Sequence, residues 1–193
     1  MIYETVVITR SPQGIPHIAP MGMRENEGLV VLAPFRPSAT LDNLEATRCV
    51  VVNMTDDVSI IAGCLTGRRD WPTIPVERVQ GTRLANALAH LECEVERIKE
   101  DPERPRFYCR VVHQETHAPF KGFNRAQAAV LEAAILVSRL HMLPQKKIDQ
   151  ELQYLAIAIE KTAGEREKLA WGWLLEAIDA HRKNNSDTWE TTA

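Results

Sequence analysis

The chain has no glycine-rich phosphate loop. Neither G-x-x-x-x-G-K-[ST] nor G-x-G-x-x-G occurs, which removes the P-loop and Rossmann modes of nucleotide binding. No G-x-S-x-G elbow or Cys/His nucleophile arrangement stands out. The four cysteines, Cys49, Cys64, Cys93 and Cys109, form no C-x-x-C pair, and each lies in or beside an apolar run. That pattern argues for buried free thiols in a reducing compartment, against disulfides or a zinc site. No apolar run approaches the roughly 20 residues that span a bilayer. The opening MIYETVVITR has no basic segment followed by an apolar core, so no export signal is read there. Formal net charge is -3, without the clustered Lys and Arg that phosphate neutralisation requires. A cytoplasmic protein with neither a membrane nor a nucleic-acid partner is expected.

What is present is an ordinary core-forming composition: 193 residues, 45% hydrophobic and 25% charged. This suits one domain, or one with a helical appendage. The first two-thirds alternates at period two. Tyr3 to Thr9 reads as a strand closed by the turn SPQG, and Ile15 to Ala19 as its hairpin partner. Leu29 to Ala33, Cys49 to Met54 and Val58 to Gly63 follow as strands, with Thr40 capping a short helix to about Thr47. Thr66 to Val79 reads as a surface loop, and Ala85 to His90 as a helical turn or bulge. Leu91 to Lys99 and Arg106 to Glu115 are strands joined by the turn EDPERP. Seven or so short strands at hairpin-like spacing predict an antiparallel barrel or sandwich.

After Phe123 the period becomes helical. Asn124 with Gln127 forms a capping-box variant ahead of Val130, Ala133, Ala134, Val137 and Leu140 on one face. A second helix runs from about Gln145 to Thr162 on Ile148, Leu152, Leu155 and Ile159. A third spans about Glu165 to Arg182, with Leu169, Trp173 and Ala177 along its seam. The predicted division is a barrel over 1–120, a helical domain over 121–183 and a disordered tail over 184–193, with Trp189 as its one candidate anchor.

Candidate chemistry concentrates between Gly14 and Asn53. Arg36, Ser38, Thr40 and Asn43 fall within eight residues at a strand-to-helix junction. Hydroxyl, amide and guanidinium donors at a helix N-terminus hold anions, which points to a nucleotide-type ligand. The same spacing also fits a capped helix with a solvated arginine, and both readings stand at this stage. His17, alone in a strand, reads more simply as structural. His113 and His117 flank QET, but the glutamate is two residues after the first histidine, so this is not H-E-x-x-H. The segment ends a strand and enters Pro119, so no helical metal pair is expected. Glu92, Glu94 and Glu96 read as one solvated strand face.

The run ETVVIT…GIPHIAPMGM…LAPFRPSATLDNL…CVVVNMTDD resembles the flavin-reductase-like FMN-binding split-barrel superfamily. It is especially similar to an uncharacterised branch found in methanogens and one-carbon-metabolising bacteria. GFNRAQAAVLEAAILVSRL, at Gly122 to Leu140, followed by EKT at Glu160 to Thr162, resembles that branch's second hallmark. The resemblance implies a mainly β fold with added α structure, a six-stranded FMN-binding split β-barrel followed by a C-terminal helical bundle. It further implies a homodimer with FMN at the subunit interface. On the same basis, Arg36, Ser38, Thr40 and Asn43 would contact phosphate and ribityl, and His17, Ala19, Pro20 and Met21 the ring, with Asn53 added from the next strand. Ala39 and Leu41 depart from the larger groups that related chains often place beside the phosphate loop. The implied activity is a flavin-dependent oxidoreductase acting on a small-molecule redox substrate; the alternative is a flavin-binding carrier, sensor or assembly factor without turnover.

Overall fold

A computed structural model describes the backbone of residues 1–190 and the side chains of residues 1–184. Its first unit comprises Met1–Asp56 with Asp70–Phe120, and its second comprises Asp57–Arg69 with the chain from Lys121 onward.

The first unit is built on a closed antiparallel barrel of six strands. These are β1 (Tyr3–Arg10), β2 (Pro16–Asn26), β3 (Leu29–Leu32), β4 (Cys49–Met54), β7 (Ala89–Lys99) and β8 (Arg106–Thr116). Their order around the barrel is β1-β2-β3-β8-β7-β4, with β4 returning to β1. The expected hairpin of β1 and β2 is present, though β2 runs on to Asn26, well past the expected Ala19.

Strand alternation accounts for the core. Val50 and Val52 on β4 join Val7, Met23, Leu32, Cys93 and Phe107 inside the barrel. Helix α1 (Ala39–Thr47) adds Leu41 and Leu44 to the same cluster, each at most 1% exposed. Burying two leucines stabilises by roughly 1.5–3 kcal/mol apiece, so α1 is bound to the barrel chiefly by its apolar side.

A second layer covers part of the barrel's outside. β5 (Thr73–Pro75) and β6 (Thr82–Leu84) form a small hairpin inside what the sequence presents as a plain loop. Val51, between the two inward valines, packs against Gly81: a Cβ there would lie 3.0 Å from Val51 Cγ2. A side chain at that point would crowd Val51, which glycine avoids. This layer also corrects the reading of Glu92. The carboxylate shares an outward face with Glu94, but the hairpin segment covers it completely, and it is 0% exposed. The segment Ala85 to Leu88 is a turn, and β7 already begins at Ala89.

The second unit is helical. Val58 to Gly63, expected as a strand, is part of helix α2 (Val58–Leu65). Asp57 caps it by accepting from Ser59 N at 3.2 Å and from the Ser59 hydroxyl. A short continuous apolar run reads equally as buried strand or buried helix, and the cap decides. Helix α3 (Arg125–Val137) is capped by Asn124, whose Oδ1 accepts from Ala126 N and Gln127 N as predicted. The Gln127 side chain donates instead to Glu167. Helix α4 (Gln145–Thr162) buries Ile148, Leu152, Leu155 and Ile159, the four expected. Helix α5 (Glu165–Glu190) buries Ala170, Leu174 and Ile178, one residue out of phase with the expected seam, while Leu169 is 53% exposed. Its backbone remains helical through Glu190 where a disordered tail was expected from 184; the Trp189 side chain and residues 191–193 lie outside the described residues. Among the described residues no helix is long and apolar enough to cross a membrane.

Candidate functional site

The loop from β3 into α1 is held in place by a partner the sequence gives no reason to single out. Arg104 Nε and Nη2 both donate to Ala33 O, at 3.1 and 2.8 Å, and the guanidinium lies 4.1 Å from the Phe35 ring centroid. Arg36 N donates to Glu103 O at 2.8 Å. The EDPERP turn is therefore the clamp that fixes the loop carrying Arg36 and Ser38. Ser38, not Thr40, is the helix N-cap, and its Oγ accepts from Leu41 N at 3.2 Å.

The nine residues flagged in the sequence divide by environment. Arg36 is exposed, with Nη2 3.3 Å from Glu45 Oε1 and 3.7 Å from Glu100 Oε2. Exposed pairs of this kind contribute about 0–1 kcal/mol, so a phosphate can draw the guanidinium away. Thr40 and Asn43 are buried. Asn43 Nδ2 donates to Thr9 Oγ1 at 3.0 Å, and Thr9 pairs with His17 in the β1–β2 ladder. The amide thus ties α1 through β1 to the strand that carries His17.

On β2, Ala19 and Met21 pack against the barrel core, and Thr5 Oγ1 donates to Met21 O at 2.7 Å. Alternation places His17 on their face and Pro20 on the other. Asn53 is fully buried and internally satisfied. Its Nδ2 donates to Val6 O at 3.0 Å, and its Oδ1 accepts from Leu84 N at 2.8 Å. Its geometry is that of a bracket joining β4, β1 and the β5–β6 hairpin.

A cleft of about 730 Å³ opens elsewhere on the same unit, lined in part by Arg10, Thr47, Arg48, Arg78, Gln80 and Glu94. The sequence carries no local signal for it, because its arginines are dispersed along the chain. Gly14 shapes its rim with φ +87°, and Arg10 Nε donates to Gly14 O at 2.7 Å.

Two buried ionisable groups stand on the outer face of β7. Burial alone would raise the Glu92 carboxyl, but the amides of Val79, Arg78 and Glu77 outweigh it and hold it below the ordinary carboxylate range. Those amides donate at 2.8, 2.7 and 3.1 Å. His90 is pushed below the usual imidazole value by burial, with Glu92 opposing and His117 and Arg83 adding to the depression.

A closed six-stranded antiparallel barrel followed by C-terminal helices is the split-barrel fold, shared with a solved FMN-bound protein. Residues 3–118 match the family described as "Protein of unknown function (DUF447) N-terminal domain", and residues 124–176 match "Protein of unknown function (DUF447)"; the chain belongs to this family. An FMN-bound protein of the same family from Methanosarcina mazei shares the fold with TM-score 0.80 and 20% identity, over 91% of this chain and 94% of that one. The 2-nitrobenzoate 2-nitroreductase of Pseudomonas fluorescens is similar with TM-score 0.51 and 20% identity, over 59% of this chain and 64% of that one. The flavin reductase component of a bacterial two-component tryptophan halogenase gives 0.52 and 18%, over 62% and 82%. A search of curated protein sequences gives no match.

Proposed function

We propose that the protein binds FMN, with the phosphate at the N-terminus of α1 and the isoalloxazine ring along β2 near His17. The observation that carries this reading is the FMN-bound relative of the same family, whose fold matches this one over 94% of its length. The local chemistry is compatible. An FMN phosphate carries close to two negative charges near neutral pH, and a helix N-terminus with an adjacent arginine offsets them. Arg36 and Ser38 are the side chains available there. Thr40 and Asn43 support them from beneath, and Asn53 acts at a distance by holding β4 to β1.

The flavin would supply hydride or electron transfer; the chain's part is to hold the phosphate, fix the ring against a strand and limit water access. We assign the protein as a flavin-dependent oxidoreductase, functioning as a homodimer with the cofactor at the subunit interface. The flavin reductase and nitroreductase among its structural neighbours favour redox work.

The test is a titration of FMN followed by flavin fluorescence, on the wild type, Arg36→Ala and Ser38→Gly. Glycine retains most N-capping, so the second variant isolates the hydroxyl. One charge-assisted hydrogen bond contributes about 1.5–3 kcal/mol, so Arg36→Ala should weaken binding by roughly tenfold to a hundredfold. An unchanged affinity in both variants removes this junction from the site. Anaerobic addition of reduced nicotinamide to the yellow protein then separates the roles: bleaching supports the oxidoreductase, and persistent colour favours a carrier or sensor.

A further inference from the structure

We propose that His90, His113 and Glu115 form a binding site for one divalent transition-metal ion of the zinc class, on the outer face of β7 and β8.

The ladder builds the site. His90 pairs with Glu115, and Glu92 pairs with His113, so four chemistry-bearing side chains sit at the corners of one cross-strand square. One ligand atom from each of His90, His113 and Glu115 lies within 4.8 Å of the others. His113 and Glu115 are two residues apart on a strand and so share a face. Only His113 and His117 stand close together along the chain; His90 is brought in by strand pairing and not by spacing.

Two observations besides the grouping point to a ligand. His90 is 2% exposed, and its Nε2 is buried without a hydrogen-bond partner. The nearest carboxylate oxygen, Glu92 Oε1, is 3.6 Å away, beyond hydrogen-bonding distance. The His113 Nε2 is buried and unpartnered as well. Buried side-chain nitrogens are ordinarily hydrogen-bonded, so two orphaned imidazole nitrogens in one cluster call for a partner. A metal ion satisfies both at once.

The surrounding contacts are those of an oriented ligand. His90 Nδ1 lies 2.9 Å from His117 Nε2, and the two rings stack at 5.1 Å with 10° between their planes. When Nδ1 donates to His117, the proton is on that side of the ring and Nε2 presents a lone pair. This is how a second-shell partner fixes the tautomer of a metal-binding imidazole. Two imidazoles and one carboxylate suit zinc and leave one coordination position open. The Glu115 side chain is 53% exposed, which gives the ion a path from solvent. None of these residues belongs to the proposed flavin site.

The experiment uses the full chain, stripped with a chelator and titrated with Zn²⁺ against a chromogenic indicator, then with Co²⁺ for its spectrum. One equivalent per chain should bind with at least micromolar affinity. His113→Gln and Glu115→Gln, checked for folding by circular dichroism, should each weaken binding by roughly tenfold or more, given that even outer-shell losses cost about tenfold to a hundredfold. The cobalt spectrum should show nitrogen and oxygen donors without an intense thiolate charge-transfer band. Absence of saturable binding, full affinity in both variants, or a thiolate band that places the ion on the cysteines overturns the assignment.

Discussion

Replacing Glu92 by glutamine removes a charge from beneath the β5–β6 layer while keeping its shape. In the native protein Oε2 accepts from Arg78 N at 2.7 Å and Val79 N at 2.8 Å, and Oε1 accepts from Glu77 N at 3.1 Å. Hydrogen bonds to a charged group contribute about 1.5–3 kcal/mol each, and neutral ones about 0.5–1.5. A glutamine oxygen at the Oε2 position keeps two bonds in weaker form and turns an NH₂ group toward the Glu77 amide. One strong bond is lost, two are weakened, and two donors face each other. Together these cost roughly 3.5–6 kcal/mol, a large share of the 5–15 kcal/mol that stabilises a typical domain. Urea unfolding should register it at neutral pH, and hydrogen exchange should localise it. Amides 77–79 should exchange faster while those of Val50 to Val52 in the barrel keep more of their protection. The sign with pH follows from the depressed carboxyl: its stabilisation is complete above the unfolded value of about 4.3 and is lost as pH falls through the lower folded value. The difference between wild type and Glu92→Gln should therefore shrink in acid. Equal stabilities within about 0.5 kcal/mol at neutral pH, below the net worth of a single hydrogen bond, would refute the reasoning.

The remaining predictions concern bracket, thiol and turn. Asn53→Ala leaves Val6 O and Leu84 N without their partner and should destabilise by roughly 2–4 kcal/mol in chemical unfolding. Burial pushes the Cys109 thiol up to about 12 and Cys93 higher still, whereas Cys49 and Cys64 are only half-buried. Mass spectrometry after alkylation of the native protein should find the latter two labelled first, and all four only after denaturation. Gly14→Ala places a side chain at φ +87° and 2.8 Å from Arg10 Nη2, so thermal unfolding should show a loss of about 1 kcal/mol or more.

The parts of this fold that the sequence states openly are those fixed by local chemistry. Asn124 announces α3, the SPQG turn announces the β1–β2 hairpin, and the four apolar positions of α4 fall at helical spacing and are buried as that spacing requires. Val58 to Gly63 failed because VSIIAGCL has no period to read; the informative residue was Asp57, just before it. Glu92 failed for a different reason. Alternation placed it correctly on the outer face, but only the β5–β6 hairpin, folded over it from earlier in the chain, makes that face buried. Alternation and resemblance together gave the barrel its strands, while its closing pair, β1 with β4, is a long-range contact with no local signature. Of the candidate site, the Arg36 and Ser38 junction was legible as residue types at a helix entrance. Arg104, which anchors that loop through Ala33 O, was not, since nothing near it in sequence hints at a contact 71 residues away. His90 was invisible for the same reason.

The account turns on where a flavin phosphate is held, and a crystal structure of the protein with FMN tests that directly. The predicted result is a phosphate within hydrogen-bonding distance of the Arg36 guanidinium, the Ser38 hydroxyl and the first amides of α1, with the ring lying along β2 beside His17. A phosphate bound instead among Arg10, Arg48 and Arg78, or a junction closed to the cofactor by the protein's own side chains, would contradict it.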